Sequence, residues 1–276
     1  INEVRRRVTF YQNQKVEEIA QLSTQGFVPF DVHPLQKAWL KQEESATRSV
    51  GNGVLHVYLE GDGAAWWAQQ FPPTDPTPRN AVSLSLALVE KHKNAAYLAR
   101  PCQYLLPAVL KSCPLAWWTT DRWGETVITM TAQALDTLLT SSGARELVLT
   151  GHSGGGTLAL LVAARRRDVR CVATLSSPLD LNAWAHGHGL AHFPATANPA
   201  NLPLSATKFQ ERHLLGLDDR VVPISSLGRY AARVSPEQVL TVPNQGHSQG
   251  WVQQWRRLRD EQGPLSAWMN ECLSPT

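Results

Sequence analysis

The sequence predicts an α/β protein: a mostly parallel sheet with helices on both faces and a small cap insertion. Three observations lead there. Short β-branched or apolar runs alternate with helix-period segments over most of the chain. The inserts between them are Pro-rich loops rather than linkers. The 276 residues, 43% of them apolar, are enough for one large core, so residues 1–276 read as a single domain.

The elements follow in order. Val16 to Ser23 has a short helical spacing; Phe27 to Val32 reads as a strand and Leu35 to Lys41 as a further one. "VLHVYLE" (Val54–Glu60) alternates and is β-branched, Ser83 to His92 fits a helix, and Ala95 to Ala99 is a short buried strand. Glu125 to Leu139 is helical, with Val127, Ile128, Ala134, Leu135, Leu138 and Leu139 on one broad apolar face, and Gly143 is its stop signal. Then come the strand "RELVLT", a glycine bend, the helix "TLALLVAARR" and the strand "VRCVATLSS". Leu179 to Thr207 is rich in His, Pro and Asn without a clean period, which suits a cap over a pocket. "RHLLGL" is a strand, Ile224 to Arg233 a helix and "QVLTV" the last strand; Gln249 to Leu273 is mostly helix, broken at Gly263-Pro264.

Composition excludes several classes. The net charge of +3 is mild, and the clusters Arg5-Arg6-Arg7 and Arg165-Arg166-Arg167 are short and lack interleaved aromatics. They read as solvated faces, so no nucleic acid is expected as partner. No apolar run reaches the ~18 residues of a membrane span. Of the four cysteines, Cys171 lies in an apolar strand and reads as a small buried hydrophobe. Cys102 and Cys113 lie close together in Pro-rich loop segments. A bridge between them would close a short loop and contribute roughly 2–3 kcal/mol. Free thiols in a reducing compartment are the alternative; the bridge implies export, periplasmic or extracellular, with the leader absent from this chain beginning at Ile1.

The bend carries the chemistry. "GHSGG" (Gly151–Gly155) matches G-x-S-x-G between a strand and a helix. Glycines let the two elements pass closely, and Ser153 is held at the carboxyl edge of the sheet. The Gly154 N–H, unpaired at the helix start, can donate to a developing oxyanion. A serine hydroxyl needs a base to take its proton. "GLDDRVVP" after one late strand offers Asp218 and Asp219, and "PNQGHSQGW" after the last offers His247, in the order Ser, Asp, His expected of this architecture.

With these motifs the chain resembles the α/β-hydrolase superfamily, and most of all a group of bacterial members with "YxEGDG" and "RPCQY" segments. Here those are Tyr58–Gly63 and Arg100–Tyr104, and the resemblance covers roughly Leu55 to Trp255. It implies that the acid is Asp219, the first residue of D-x-V-V-P, with Asp218 and Asp180 as rivals. It also implies a second oxyanion donor, the backbone N–H of Asp62, from the loop that commonly reads H-G-x-G. Here the loop is Glu60-Gly61-Asp62-Gly63, which sets two carboxylates beside a site that must hold negative charge. An arginine is expected to neutralise one of them, with Arg79 and Arg100 as candidates.

The resulting expectation is a serine hydrolase acting on a small-molecule acyl ester, with no cofactor and no metal. The alternatives are a non-catalytic exported binding or scaffold protein on the same fold, and an acyltransferase. His186, His188 and His192 could suggest zinc, but no carboxylate or cysteine completes a set, and a polar cap loop is the expected reading. His152 is expected to pack near the bend and not to act as the base. Among the ten tryptophans, Trp66, Trp184 and Trp251 are candidates for lining an apolar pocket.

Overall fold

A computed structural model describes residue 17 and residues 19–41, 53–64, 72–206 and 208–275. Among these, an 8-stranded sheet runs in the order β1-β2-β4-β3-β5-β6-β7-β8. The strands are β1 (Phe27–His33), β2 (Gln36–Lys41), β3 (Gly53–Leu59), β4 (Ala95–Leu98), β5 (Ala144–His152), β6 (Val169–Leu175), β7 (Gln210–Gly216) and β8 (Val239–Val242). From β4 to β8 every neighbouring pair is parallel, whereas β2 is antiparallel to both β1 and β4. A parallel sheet must be covered on both faces, which is why its strands read as near-continuous apolar runs.

The side-chain alternation of β3 divides the core. Leu55, Val57 and Leu59 face one layer, with Leu135 and Leu138 of α2 (Glu125–Ser142) and Leu158 and Leu161 of α3 (Gly154–Ala163). Val54 and Tyr58 face the other, with Leu84 and Leu86 of α1 (Val82–Leu88), Trp255 of α5 (Trp251–Arg259) and Trp268 of α6 (Ser266–Leu273). All ten residues of α3 are buried, as an apolar helix lying between sheet and neighbour requires. Helix α2 ends at Gly143, whose φ of 71° makes the left-handed cap.

The structure departs from the sequence expectation in three places. The helix expected to reach His92 stops at Leu88. Ile224–Arg233 is not an α-helix but 3-10 turns broken at Gly228, and the N–H of Arg229 goes to Asp180 Oδ2 at 3.0 Å rather than back along the segment. The C-terminal helical stretch, by contrast, is broken around Gly263-Pro264 as expected, into α5 and α6. Cys171 is not a free hydrophobe: it is bonded to Cys272 in α6, with Cα atoms 5.9 Å apart. Cys102 and Cys113 form a second disulfide, Cα atoms 6.0 Å apart. Of the N-terminal helix, residues 19–24 are described and helical; Val16 lies outside the described residues. Among the described residues, no helix is long and apolar enough to cross a membrane.

The Cys171–Cys272 bridge ties the middle of the sheet to the last helix across 101 residues. Replacing both cysteines by Ala is expected to cost ~2–5 kcal/mol. A lowered urea midpoint, with an m-value that rises as the uncrosslinked unfolded chain expands, checks this; an unchanged midpoint rules it out.

Candidate active site

Strand β5 ends at His152 and α3 begins at Gly154, so Ser153 alone makes the turn, at φ 54° and ψ −130°. Side-chain-bearing residues rarely occupy that region, and the surroundings must hold one there. The Ser153 N–H donates to the Leu175 carbonyl at the end of β6, 2.8 Å away. The strand and helix pass so closely that a Cβ on Gly151 would stand 2.5 Å from the backbone of Gly155.

Later loops converge on the hydroxyl. His247, after β8, places Nε2 3.1 Å from Ser153 Oγ. Its Nδ1 stands 2.8 Å from Oδ2 of Asp219, in the loop after β7. A carboxylate only accepts, so Nδ1 carries the proton and Nε2 turns its lone pair to the serine O–H. The other oxygen of Asp219 accepts from the N–H groups of Val221 and Val222 at 2.9 and 2.8 Å. Burial alone would raise this carboxyl, but the hydrogen bond and charge of His247, with the Val222 N–H, outweigh it and hold it below the usual range.

The two rival acids lie elsewhere. Asp218 is exposed. Asp180 caps α4 (Leu181–Gly187) by accepting from the Asn182 N–H at 3.2 Å, and also binds Asn198 and Arg229.

Sequence reasoning missed how the imidazole is positioned. The His247 backbone carbonyl accepts two side-chain donors, His152 Nε2 at 2.7 Å and Trp251 Nε1 at 2.9 Å. Trp251 is fully buried and is absent from the cavity wall. Burial, reinforced by the neighbouring His247, lowers the His152 pKa to about 3, so that ring is neutral.

The loop after β3 explains the two unusual segments. The Glu60 carboxylate turns toward the start of α1, accepting from the N–H groups of Gly61, Ser83 and Leu84 and from the Tyr97 hydroxyl. Burial raises its pKa despite those bonds. Asp62 pairs with Arg100 Nη1 at 2.7 Å and lies 3.2 Å from Nε of Arg122, a residue the sequence did not single out. Arg79, the other expected partner, lines the cavity. Gln103 accepts from the Arg100 N–H and donates to the Gly61 carbonyl at 3.0 Å, so "RPCQY" braces "YLEGDG" directly. Among the described residues, no hydrogen bond engages the N–H of Asp62 or of Gly154. A Cβ on Gly154 would fall 1.9 Å from Asp62 Oδ1, which explains glycine at that position.

A cavity of about 730 Å³ opens over Ser153 and His247. Its wall includes Trp184, His188 and Leu190 from the expected cap segment. Trp184 Nε1 and His188 Nε2 both donate to the Val221 carbonyl at 2.8 Å, which ties that segment to the loop holding Asp219. Trp66 lies outside the described residues. No group of His, Cys, Asp or Glu among the described residues could hold a metal ion.

Together, sheet order and bend define the α/β-hydrolase fold, and solved structures bear this out. Est1E from Butyrivibrio proteoclasticus matches with a TM-score of 0.57 at 12% identity, over 90% of this chain and 98% of that one. The esterase domain from a Rhodothermus marinus protein matches at 0.54 and 12% identity, over 89% and 97%. A puromycin-hydrolyzing peptidase of Mycobacterium tuberculosis matches at 0.56 and 14% identity, over 87% of this chain. This chain spans only 34–38% of the puromycin-hydrolysing structures it matches. No family model and no curated protein matches the sequence.

His152 makes the fold pH-dependent. Its folded pKa of about 3 lies below the unfolded value near 6.5, so the unfolded chain binds the proton more readily. This stabilising contribution is complete above the unfolded pKa and is lost as the pH falls toward 3, amounting to about 2 kcal/mol between pH 7 and pH 5. His152→Gln, which keeps a donor for the His247 carbonyl, is expected to remove that part of the pH dependence in urea titrations. An unchanged pH dependence contradicts the assignment.

Proposed function

We propose that the protein is a serine hydrolase that cleaves an ester-like acyl bond through a covalent acyl-enzyme. The observation that carries this reading is the unbroken hydrogen-bond line from Ser153 Oγ through the His247 ring to Asp219, with links of 3.1 and 2.8 Å. His247 Nε2 takes the serine proton as Oγ attacks the acyl carbon. Asp219 holds the tautomer and stabilises the imidazolium. The N–H groups of Asp62 and Gly154 receive the oxyanion; both being without a partner among the described residues supports that role. The imidazolium then protonates the leaving alcohol. Water, deprotonated by the same ring, attacks the acyl-serine and releases the acid. Thioesters and amides fall within the same chemistry.

Two disulfides also support residence in an oxidising, exported compartment.

Ser153→Ala is expected to lower kcat on a p-nitrophenyl ester by ~10⁴–10⁶, and to abolish labelling by a fluorophosphonate. Asp219→Asn should cost about 10⁴ by favouring the wrong tautomer. Unchanged turnover by the Ser153→Ala protein would sink the scheme.

A further inference from the structure

Arg122 is a buried cation with unused donors. It is 3% exposed, yet it lines the cavity that also holds Ser153 and His247. No hydrogen bond accepts from its guanidinium among the described residues; Nε approaches Asp62 Oδ2 at 3.2 Å without hydrogen-bond geometry. Asp62 is already paired with Arg100 at 2.7 Å. Two guanidinium groups thus share one carboxylate, which among the described residues leaves one positive charge in excess at the cavity wall. The other nearby carboxylate, Glu60, is occupied by backbone N–H groups and Tyr97. A buried charge that only shares a partner is costly, because such groups are normally fully paired.

The side chain is also held in place. The rings of Trp123, Phe193 and Trp184 stand 4.5, 5.1 and 5.5 Å from its guanidinium carbon. Aromatic packing leaves the edge N–H groups of an arginine available, and that edge matches a planar two-oxygen anion. Pro78, Leu190 and Val221 supply an apolar wall in the same cavity.

We propose that Arg122 receives a carboxylate carried by the substrate a few bonds from the scissile acyl carbonyl, making the preferred substrates acidic half-esters rather than neutral esters. This deepens the acyl-hydrolase reading and rests on it.

The test measures binding to the Ser153→Ala protein, which does not consume the ligand. Calorimetry compares the monomethyl esters of succinate, glutarate and adipate with the corresponding dimethyl esters. At least one monomethyl ester is expected to bind ~10-fold or more tightly than its neutral counterpart, the worth of one charge-assisted hydrogen bond. Adding Arg122→Met should bring that ratio to about one, and Arg122→Lys should restore part of it. Three results overturn the proposal: no preference in the Ser153→Ala protein, no binding of any monomethyl ester at millimolar concentration, or equal weakening of both ligand types by Arg122→Met. The first two need no Arg122 variant, so a folding failure does not shield the idea. Fluorophosphonate labelling of the unmodified protein separates the two readings. Labelling without a carboxylate preference sinks the Arg122 assignment alone. Preference without labelling sinks the hydrolase reading and leaves the anion site standing.

Discussion

The chain passes from strand to helix through one residue, and that residue has a side chain. A non-glycine residue at φ 54° holds of the order of 1–3 kcal/mol of strain. It persists because its surroundings over-determine it: the N–H is tied to β6, the helix behind is wholly buried, and strand and helix touch backbone to backbone. With the Ser153 hydroxyl thereby fixed at the rim of the sheet, the other loops must come to it. Those after β7 and β8 bring a carboxylate and an imidazole. The imidazole is located by its own main chain, whose carbonyl is gripped by the ring before the bend and the indole at the head of α5.

Under the proposed mechanism the loop after β3 poses an electrostatic problem. A unit negative charge about 4 Å from a developing oxyanion opposes it by about 4 kcal/mol at an effective dielectric constant of 20, enough to cancel what a good donor provides. The two acidic residues are handled differently. Glu60 is turned away and saturated by the start of α1. Asp62 stays close and is neutralised by Arg100 from the segment after β4. The "YLEGDG" and "RPCQY" segments are therefore one device: the second supplies the cation, the Gln103 amide that fixes the Gly61 carbonyl, and a disulfide that anchors its own loop.

Much of this could be read from the sequence because it is local. Strand, bend and helix around Ser153 are contiguous, and Asp219 and His247 each follow a recognisable strand. What escaped was non-local. Cys171 and Cys272 are far apart in sequence, and one is disguised by its apolar strand. Arg122 sits in a tryptophan-rich loop with no motif, and only folding brings it to Asp62. Trp251 resembled a pocket residue because it follows His247 closely, but the helix it opens turns it into the core, with its N–H on the His247 carbonyl. Ile224 to Arg233 has the composition of a helix, and the carboxylate of Asp180 draws off a backbone donor that a helix would need.

The contact between Gly154 and Asp62 bears on how such a chain can change over generations. In the G-x-S-x-G pattern the fourth place is nominally open to any residue. Here its occupant is dictated by an acidic neighbour from a different loop, whose oxygen fills the space a methyl group would take. A side chain at position 154 would have to push the Asp62 carboxylate aside or meet a shorter residue there, and either change weakens the ion pair with Arg100. A change at position 154 is therefore felt at Arg100, through the carboxylate that lies between them.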